Sequence, residues 1–500
     1  MQTDLLDQAF TRAAGASLVA GNSVRLLKDA NENYPAWLDA IDAAERSVLF
    51  ENYMFCEDAV GVRFSKALAA KASAGVRVRV IYDWLGSVPR TSRRFWRTLR
   101  EAGVELRVFN PPRLTGPFGW LHRDHRKMLA VDGRVGFVTG LCVGRMWVGD
   151  AARGIAPWRD TGVQIRGPAL YDIERAFAQV WAATGAPLPE QDLSARASIE
   201  PAGDVSLRVV ASAPGMLAVL RLDHLIAAAA RRTLWLTDAY FAGIPPYVQA
   251  LRSAALDGVD VRLLVPGASD VPVLRPLSEA GYRPLLEAGV RVFEWKGSML
   301  HAKTAVADGR WARVGSSNLN IASWIGNYEL DALVENTEFA AQMQQMYLAD
   351  LTQATEIVLR RRRRRMVGAL SQRMRLRRPR PATHGPTGSA SRAAAGALRI
   401  GRAVGAALTD QRVLASAEAR LVAIVGLVAL AIAVVAVLWP LAAALPVAVL
   451  FAWIAVALFV KARSLQRERR RSGLPSMRIA RARGAAQPTR AEAPPEELPR

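Results

Sequence analysis

The sequence predicts an α/β fold made of two related halves, followed by a C-terminal α-helical hairpin that crosses a membrane. Over the first part of the chain, apolar segments with strand character alternate with helical patterns, as in a largely parallel sheet. An Ala-Gly-Val turn centred on Gly103 recurs at Gly289, 186 residues later. Residues 421–460 contain no charged side chain. These three observations indicate the duplicated fold and the hairpin.

Each half contains three predicted strands in the same order, at residues 47–53, 74–80 and 101–107 and at residues 233–240, 257–263 and 287–292. Helical patterns precede them, at residues 34–44, 62–74, 216–230 and 246–256. The second and third strand of each half follow a glycine that ends a helix. We therefore expect a duplication, with a first domain over residues 21–190 and a second over residues 203–358, joined by a polar linker.

Residues 1–20 are expected to be a separate N-terminal segment. They include Asp4, Asp7 and Arg12 and no long apolar stretch, so a signal peptide is not expected. The chain has two cysteines, Cys56 and Cys142. This number excludes a disulfide framework and is typical of a protein in a reducing compartment.

The positive charge of the chain lies almost entirely in its C-terminal part. Residues 1–359 carry 39 Lys and Arg against 38 Asp and Glu, whereas residues 360–500 carry 27 against 6. An unbroken run of six arginines, 360–365, opens a basic segment that we expect to be a flexible linker over residues 359–420. Charge segregated in this way indicates an anionic surface as partner.

The uncharged segment, residues 421–460, is long enough for two membrane crossings of about 20 residues each. Pro440 and Pro446 lie near its middle, where the chain would reverse, and basic residues flank both ends. The positive-inside rule therefore places both ends in the cytoplasm. A buried hairpin in a soluble domain is the alternative, but it would show a polar face. Residues 461–500 are expected to be a basic, Pro-rich disordered tail.

Two segments share the pattern His-x-Lys-x4-Asp-Gly, formed by His125, Lys127 and Asp132 in the first copy and by His301, Lys303 and Asp308 in the second. On a strand, residues two apart share a face, so the imidazole and the ammonium of each copy point to one place. Asp-Gly then makes the turn into a second strand, at residues 134–138 or 310–314.

This pattern suits phosphoryl transfer without a metal. The lysines can hold a phosphate oxygen, while one imidazole attacks phosphorus and the other protonates the leaving alkoxide. Ser316 and Asn318, in the turn after the second copy, add donors for phosphate oxygens. Asp160 and Glu329, one after each copy, can accept a hydrogen bond from Nδ1 of a catalytic imidazole. No residues have metal-ligand spacing, so neither a metal nor a cofactor is expected.

The two segments resemble the duplicated motif of the phospholipase D superfamily, and over roughly residues 21–355 the sequence is similar to bacterial cardiolipin synthases. The matching stretches are ENYMF, GVRVRVIYDWLGS, RDHRKMLAVDGR, PWRDTGVQIRGPA, LHAKTAVADGRWARVGSSNLN and NYELD. The resemblance implies two phospholipase D-like α/β domains in a pseudo-twofold arrangement, with one active site in the cleft between them.

The resemblance also implies a role for each motif residue. His125 would form a phosphohistidine intermediate, and His301 would act as general acid and then as general base. The phosphate would be held by Lys127, Lys303 and Asn318. The remaining positions would be supports, with Asp160 and Glu329 orienting His125 and His301, and with Asp132 and Asp308 bracing the motifs. Cys142 departs from the family pattern because asparagine is expected there, which weakens the case for phosphate contacts from the first half.

The implied activity is that of a phosphatidyltransferase that makes cardiolipin from phosphatidylglycerol or a related donor and releases glycerol. A phospholipase D hydrolase, or a transphosphatidylase with another donor or acceptor, is the alternative. A nuclease is disfavoured, and nucleic acid is not an expected partner, because the catalytic halves are nearly neutral. An inactive scaffold is disfavoured because both motifs are complete. The expected partners are phosphatidylglycerol and an anionic membrane surface, and the expected location is the cytoplasmic face of the bacterial inner membrane.

Overall fold

The predicted alternation of strands and helices is present in both halves of the chain. The computed structural model describes residues 2–112, 122–271 and 274–359, together with isolated positions between 427 and 463. Within these residues, fifteen strands are joined in one mixed sheet. The first seven belong to the first half of the chain and the other eight to the second half.

The strands of the first half are β1 (Val19–Lys28), β2 (Ser47–Asn52), β3 (Arg77–Asp83), β4 (Glu105–Phe109), β5 (Lys127–Val131), β6 (Val135–Thr139) and β7 (Thr161–Arg166). The helices of the N-terminal segment and the first half are α1 (Gln2–Ala14), α2 (Asp29–Asp42), α3 (Ala59–Ser73), α4 (Trp84–Ser87), α5 (Arg93–Glu101) and α6 (Leu170–Thr184). The order of strands in this half is β1-β7-β6-β5-β2-β3-β4.

The strands of the second half are β8 (Val205–Ser212), β9 (Thr233–Thr237), β10 (Asp260–Pro266), β11 (Arg291–Trp295), β12 (Thr304–Ala307), β13 (Trp311–Gly315), β14 (Glu329–Glu335) and β15 (Ala354–Ile357). Its helices are α7 (Ala218–Ala229), α8 (Pro245–Leu256), α9 (Leu274–Glu287) and α10 (Thr337–Leu351). The order β8-β14-β13-β12-β9-β10-β11 repeats that of the first half, and β15 is added at the edge. The two halves therefore have the same topology.

The expectation of a largely parallel sheet is wrong. Parallel pairing is confined to β2-β3-β4 and β9-β10-β11, and every other neighbouring pair of the described sheet is antiparallel. One reason is the short Asp-Gly-Arg turn, residues 132–134 or 308–310, that joins β5 to β6 and β12 to β13, because a three-residue connection can only form a hairpin.

The two halves meet along β1 and β8, which pair in antiparallel register with a shift between Val19 and Asn22. Asn22 is fully buried at this junction, and its amide donates to the carbonyl oxygens of Val19 (2.7 Å) and Val205 (3.3 Å). One apolar core spans both halves and contains side chains of α6 and α10. A second core packs α2, α3 and α5 on the first half, and a third packs α1, α7, α8 and α9 on the second.

The predicted C-terminal elements lie mostly outside the described residues. This applies to the flexible linker (residues 359–420, apart from Leu359) and to the tail (residues 461–500, apart from Arg463). The expected hairpin, residues 421–460, is described at isolated helical positions only. In the part of the chain that the structure describes, no helix has the length and apolar character needed to cross a membrane.

Candidate active site

The two His-x-Lys motifs meet in a cleft between the halves. The cleft lies at the end of the sheet where β5 and β12 begin, not at an edge strand. Two short bridges across the cleft join them: Asp124 pairs with Tyr328, and Arg159 pairs with Leu300. The backbone N–H of His125 donates to the carbonyl of Tyr328 (2.9 Å), and that of His301 donates to the carbonyl of Arg159 (2.7 Å). Each histidine is therefore held in place by the backbone of the other half.

The histidine side chains are also hydrogen-bonded to residues of the opposite half. His125 Nδ1 lies 3.0 and 3.1 Å from the two carboxylate oxygens of Glu329, and His301 Nδ1 lies 2.7 Å from Asp160 Oδ2. The order in which the sequence paired them, Asp160 with His125 and Glu329 with His301, is wrong. Because Nδ1 donates to a carboxylate in both cases, Nε2 of each ring is the atom left for chemistry.

Each carboxylate has donors of its own that keep it ionised. Glu329 accepts from the Ser316 hydroxyl (2.5 Å) and the Asn327 amide (3.2 Å). Asp160 accepts from the Trp147 indole and from the backbone N–H of Thr161, both at 2.9 Å. Burial alone would raise the pKa of both carboxyls. The neighbouring imidazole and lysine outweigh burial, so both pKa values are lowered from the ordinary range.

Burial acts on the imidazoles in the opposite sense. Desolvation lowers the pKa of His125, although Glu329 opposes it. Desolvation, and next the ammonium of Lys303, lower the pKa of His301 to about 3, with Asp160 opposing. Both rings are therefore neutral near pH 7 in the free protein, with a lone pair on Nε2.

The two lysines bring positive charge into the site although they are almost fully buried. Each ammonium donates to the carbonyl oxygen of the histidine two residues before it, Lys127 to His125 and Lys303 to His301. Desolvation, together with the charge of Lys127, lowers the pKa of Lys303 to about 8, with Asp160 opposing. Two ammonium groups that repel each other in a buried cleft favour an anion between them.

Ser316 and Asn318 differ in what they can offer to an anion. The Ser316 hydroxyl donates its one proton to Glu329 and accepts from the backbone N–H of Leu330 (2.9 Å). Ser316 therefore supports Glu329, and the expectation that it donates to phosphate is wrong. The Asn318 side chain forms no hydrogen bond with any described residue, and its oxygen is buried without a partner. Its amide is thus available to a bound ligand.

Asp132 and Asp308 lie at the far ends of β5 and β12 from the histidines. The Asp132 carboxylate accepts from three consecutive backbone N–H groups, those of residues 45–47, at 2.7–2.8 Å. Asp308 does the same with residues 231–233 at 2.8–3.0 Å. Both have positive φ, 56° and 55°, and the following glycine completes the tight turn. This geometry suits a bracing role and leaves them out of the chemistry.

Two tyrosines contact the motifs and were not recognised as candidate site residues from the sequence. The ring of Tyr53 lies 5.2 Å from that of His125 and 5.2 Å from Lys127 Nζ. The ring of Tyr240 lies 5.8 Å from that of His301 and 5.6 Å from Lys303 Nζ. Both tyrosines end the first predicted strand of their half, so the repeat itself contained the signal. Each ring covers one face of a His-Lys pair.

Trp147 was also missed, and no sequence pattern indicates it. The residue is fully buried, donates to Asp160 and lies 5.4 Å from the ring of His301. The Trp147 indole donates to Asp160 in the first half, as the Ser316 hydroxyl donates to Glu329 in the second half. The equivalent first-half position is Gly140, where a Cβ would lie 2.1 Å from Asp160 Oδ1, so no serine fits there.

Cys142, at the first-half position where asparagine was expected, is buried beside this site. Burial raises the pKa of its thiol, although Lys127 and Lys303 oppose the shift, so the thiol is protonated at neutral pH. The side-chain amide predicted to bind phosphate is therefore present in the second half only. Among the described residues, no group of three or more His, Cys, Asp or Glu side chains is arranged to hold a metal ion.

Comparison with known proteins identifies relatives with this architecture. The sequence matches the family described as cardiolipin synthase, PLD-like domain, over residues 37–145 and 222–351. It is 34% identical to cardiolipin synthase A of Pseudomonas entomophila, over 70% of this chain and 73% of that protein. It is 33% identical to the cardiolipin synthase of Alkalihalophilus pseudofirmus, over 67% of each. The fold is similar to that of phosphatidylserine synthase from Haemophilus influenzae, with a TM-score of 0.53 at 14% identity over 70% of this chain and 92% of that one.

Proposed function

The chain belongs to the cardiolipin synthase family of phospholipase D-like proteins, and we propose that it is a phosphatidyltransferase that makes cardiolipin from phosphatidylglycerol or a related phospholipid donor. One observation carries the proposal most directly. Two neutral histidines, each hydrogen-bonded to a buried carboxylate of the opposite half, face a cleft that also holds two buried lysines. These groups can carry out a double displacement at a phosphodiester, because one histidine can act as nucleophile and the other as general acid and base.

In the first step, the phosphodiester anion of phosphatidylglycerol binds at Lys127, Lys303 and the Asn318 amide. His125 Nε2 attacks phosphorus, the N–P bond forms, and the bond from phosphorus to the glycerol oxygen breaks. His301 donates the proton that the leaving glycerol oxygen needs. The negative charge of the bound phosphate raises the pKa of His301 from its low value in the free protein, so the substrate itself prepares the general acid.

In the second step, glycerol has left and a second phosphatidylglycerol presents its free hydroxyl. His301, now neutral, accepts the hydroxyl proton, and the oxygen attacks the phosphohistidine. The N–P bond breaks, His125 returns to its neutral form, and cardiolipin leaves. Water in place of the second lipid would give phosphatidic acid, which is the hydrolase alternative. Glu329 and Asp160 stabilise the charged forms of His125 and His301 through both steps.

An assay with purified protein tests this reaction directly. Purified protein in phosphatidylglycerol vesicles should form cardiolipin and free glycerol in equal amounts. His125→Ala and His301→Ala should each lower the rate by at least about 1,000-fold, since each removes a group used in both steps. His224→Ala is the matched control, because His224 lies on α7 and its Nδ1 donates to the carbonyl oxygen of Leu220 in the same helix (2.8 Å), outside the proposed site.

The outcomes separate the alternatives. Phosphatidic acid as sole product would favour the hydrolase, and an active His301→Ala protein would contradict the two-histidine scheme. Reactions quenched with denaturant at mildly alkaline pH, where the acid-labile N–P bond survives, and then analysed by mass spectrometry should carry the phosphatidyl group on the peptide that contains His125. A label on the His301 peptide would reverse the two roles.

We also propose that residues 421–460 anchor the protein as a transmembrane hairpin, with the catalytic halves at the cytoplasmic face. The support is the absence of any charged residue in this segment and the basic residues on both sides of it. The arginines of residues 360–380 would then lie near anionic headgroups, where each adds about 1 kcal/mol of attraction.

A further inference from the structure

The end of the sheet that carries both histidines also carries exposed apolar side chains. These are Leu85, Val88, Val148, Ile155, Met216, Ile321 and Ile325, each 41–57% exposed, and together we call them the apolar rim. Single exposed apolar residues need no explanation, but a set confined to the mouth of one cleft does.

The topology places the rim at the cleft in both halves. Leu85 and Val88 follow β3, and Ser87 between them donates to the carbonyl of Tyr53 (3.3 Å). Val148 and Ile155 lie in the connection from β6 to β7, which also carries Trp147. All of these connections start at the end where β5 begins, because β3 is parallel to β2, and both β2 and β6 are antiparallel to β5.

The second half contributes the equivalent connection, from β13 to β14, with Ile321 and Ile325. Asn320, next to Ile321, donates to the carbonyl of Tyr240 (3.0 Å). Met216 follows β8, and the backbone N–H of Gly215 beside it donates to the carbonyl of Ile325 (2.9 Å). The rim therefore has members from both halves, each a few residues from a side chain of the site.

The charges among these residues identify the kind of partner. Arg90, Arg145 and Arg153 are exposed on the same first-half connections, and none forms an ion pair with a described residue. Apolar side chains interspersed with unpaired guanidinium groups complement an interface of acyl chains and lipid phosphates.

We propose that the apolar rim docks on the surface of an anionic phospholipid bilayer, with its three arginines against lipid phosphates, so that the cleft opens directly onto the headgroups. The inference rests on the proposed function, because both the donor and the acceptor of that reaction are two-chain lipids. It adds a second membrane contact to the one expected from residues 421–460. Docking of the rim would orient the catalytic halves relative to the bilayer. The anchor proposed for residues 421–460 would not, because it follows a long basic segment.

The docking is tested without relying on catalysis. Full-length Ile155→Cys and Leu256→Cys proteins are labelled with an environment-sensitive fluorophore and reconstituted in phosphatidylglycerol vesicles that contain spin-labelled lipid. Leu256 is the matched control because it is 68% exposed but ends α8 at the opposite end of the sheet. The native Cys56 and Cys142 are buried, which favours labelling at the introduced site.

The probe at position 155 should shift to shorter wavelength and be quenched by the lipid spin label at least about fivefold more strongly than the probe at position 256. Equal quenching at both positions, or none at position 155, would overturn the proposal. A blue shift at position 155 that grows with protein concentration at constant detergent, without vesicles, would show that a second copy of the chain covers the rim, and this would also overturn it.

Rates measured on vesicles and on monomeric lipid separate docking from the reaction itself. Replacement of Val148 and Ile155 by glutamate should lower cardiolipin formation from vesicles at least about tenfold, while conversion of monomeric short-chain phosphatidylglycerol changes less than about twofold. Leu256→Glu should change neither rate. Loss of both rates in the rim variant would contradict docking. If the unaltered protein makes no cardiolipin from either substrate, the proposed function fails, and the quenching result still decides whether the rim docks.

Discussion

The neutral state of the two imidazoles is the central feature of the site at the scale of single residues. Burial disfavours the imidazolium form of His125 and His301, and Lys303 disfavours that of His301 further. Asp160 and Glu329 oppose this effect and fix Nε2 as the reactive atom. A histidine in this state is a nucleophile at neutral pH, and it becomes an acid only when an anion binds nearby.

The pH dependence of kcat/KM follows from these lowered pKa values. The lowered pKa of His125 keeps this nucleophile neutral to more acidic pH. Activity should therefore be retained as pH falls through 6.5, the ordinary histidine value, and be lost only at more acidic pH, where His125 becomes protonated. Asp160→Asn removes a group that raises the pKa of His301 and should lower kcat about 100-fold or more. Rates on phosphatidylglycerol between about pH 4.5 and 8.5 test this, with the exposed Asp257→Asn as control. An acid limb centred above pH 6.5 would contradict it.

At the scale of elements, Arg159 joins three parts of the fold. It precedes β7 and is 4% exposed. Its guanidinium donates to both carboxylate oxygens of Asp350 on α10 (2.8–3.1 Å) and to Asp29 at the start of α2 (3.1 Å). Its carbonyl oxygen accepts from the backbone N–H of His301. One residue thus couples the packing of α10, from the second half, to the position of a histidine in the cleft.

Arg159→Met should lower the free energy of unfolding by about 3–5 kcal/mol, because it removes the hydrogen-bonded cation of the buried Asp350 and leaves only the partly exposed Lys28, 3.9 Å away. It should also lower activity, since Asp160 and the backbone that holds His301 are adjacent. Arg134→Met is the control, because Arg134 pairs with Glu45 at 2.8 Å where both side chains are more than half exposed. Such a surface pair contributes at most about 1 kcal/mol. Denaturant titration in detergent micelles compares the two, and equal losses would show that the buried contact contributes no more than a surface pair.

At the scale of the whole molecule, neither half contains a complete site. The histidine of each half is hydrogen-bonded to the carboxylate of the other, and the amide proposed to bind phosphate is present only once, at Asn318. The positive charge is also divided unequally, because the nearly neutral halves precede a basic segment next to the uncharged residues 421–460. The proposed catalytic residues and the proposed anchor therefore lie in different parts of the chain.

Deleting residues 360–500 should release the protein into the soluble fraction of lysed cells, because it removes the proposed anchor and 27 basic residues. The shortened protein should still convert monomeric short-chain phosphatidylglycerol, since every site residue lies before residue 330. Fractionation by centrifugation, followed by the short-chain assay, measures both. A protein that stays entirely in the membrane fraction would contradict the anchor proposed for residues 421–460.

Much of the fold could be predicted because the patterns that specify it are local. The alternation of apolar residues located the paired strands, and the two Asp-Gly turns located the hairpins that present the motifs. The mixed character of the sheet was missed, although the same turns required it. Trp147 and the role of Ser316 could not be predicted, because both depend on which side chain lies beside a carboxylate that is distant in sequence.

The sequence by itself determined the chemistry of this protein: two copies of His-x-Lys-x4-Asp, an acid after each copy, and a single Asn318. These are matters of residue type and spacing, which the chain carries before it folds. Only the tertiary structure decided which acid serves which histidine, since the halves pack so that the segments before β7 and β14 lie beside the motif of the opposite half. It also decided that exposed apolar residues from distant connections surround one cleft. Contacts of this kind depend on packing across the junction, for which no local periodicity exists.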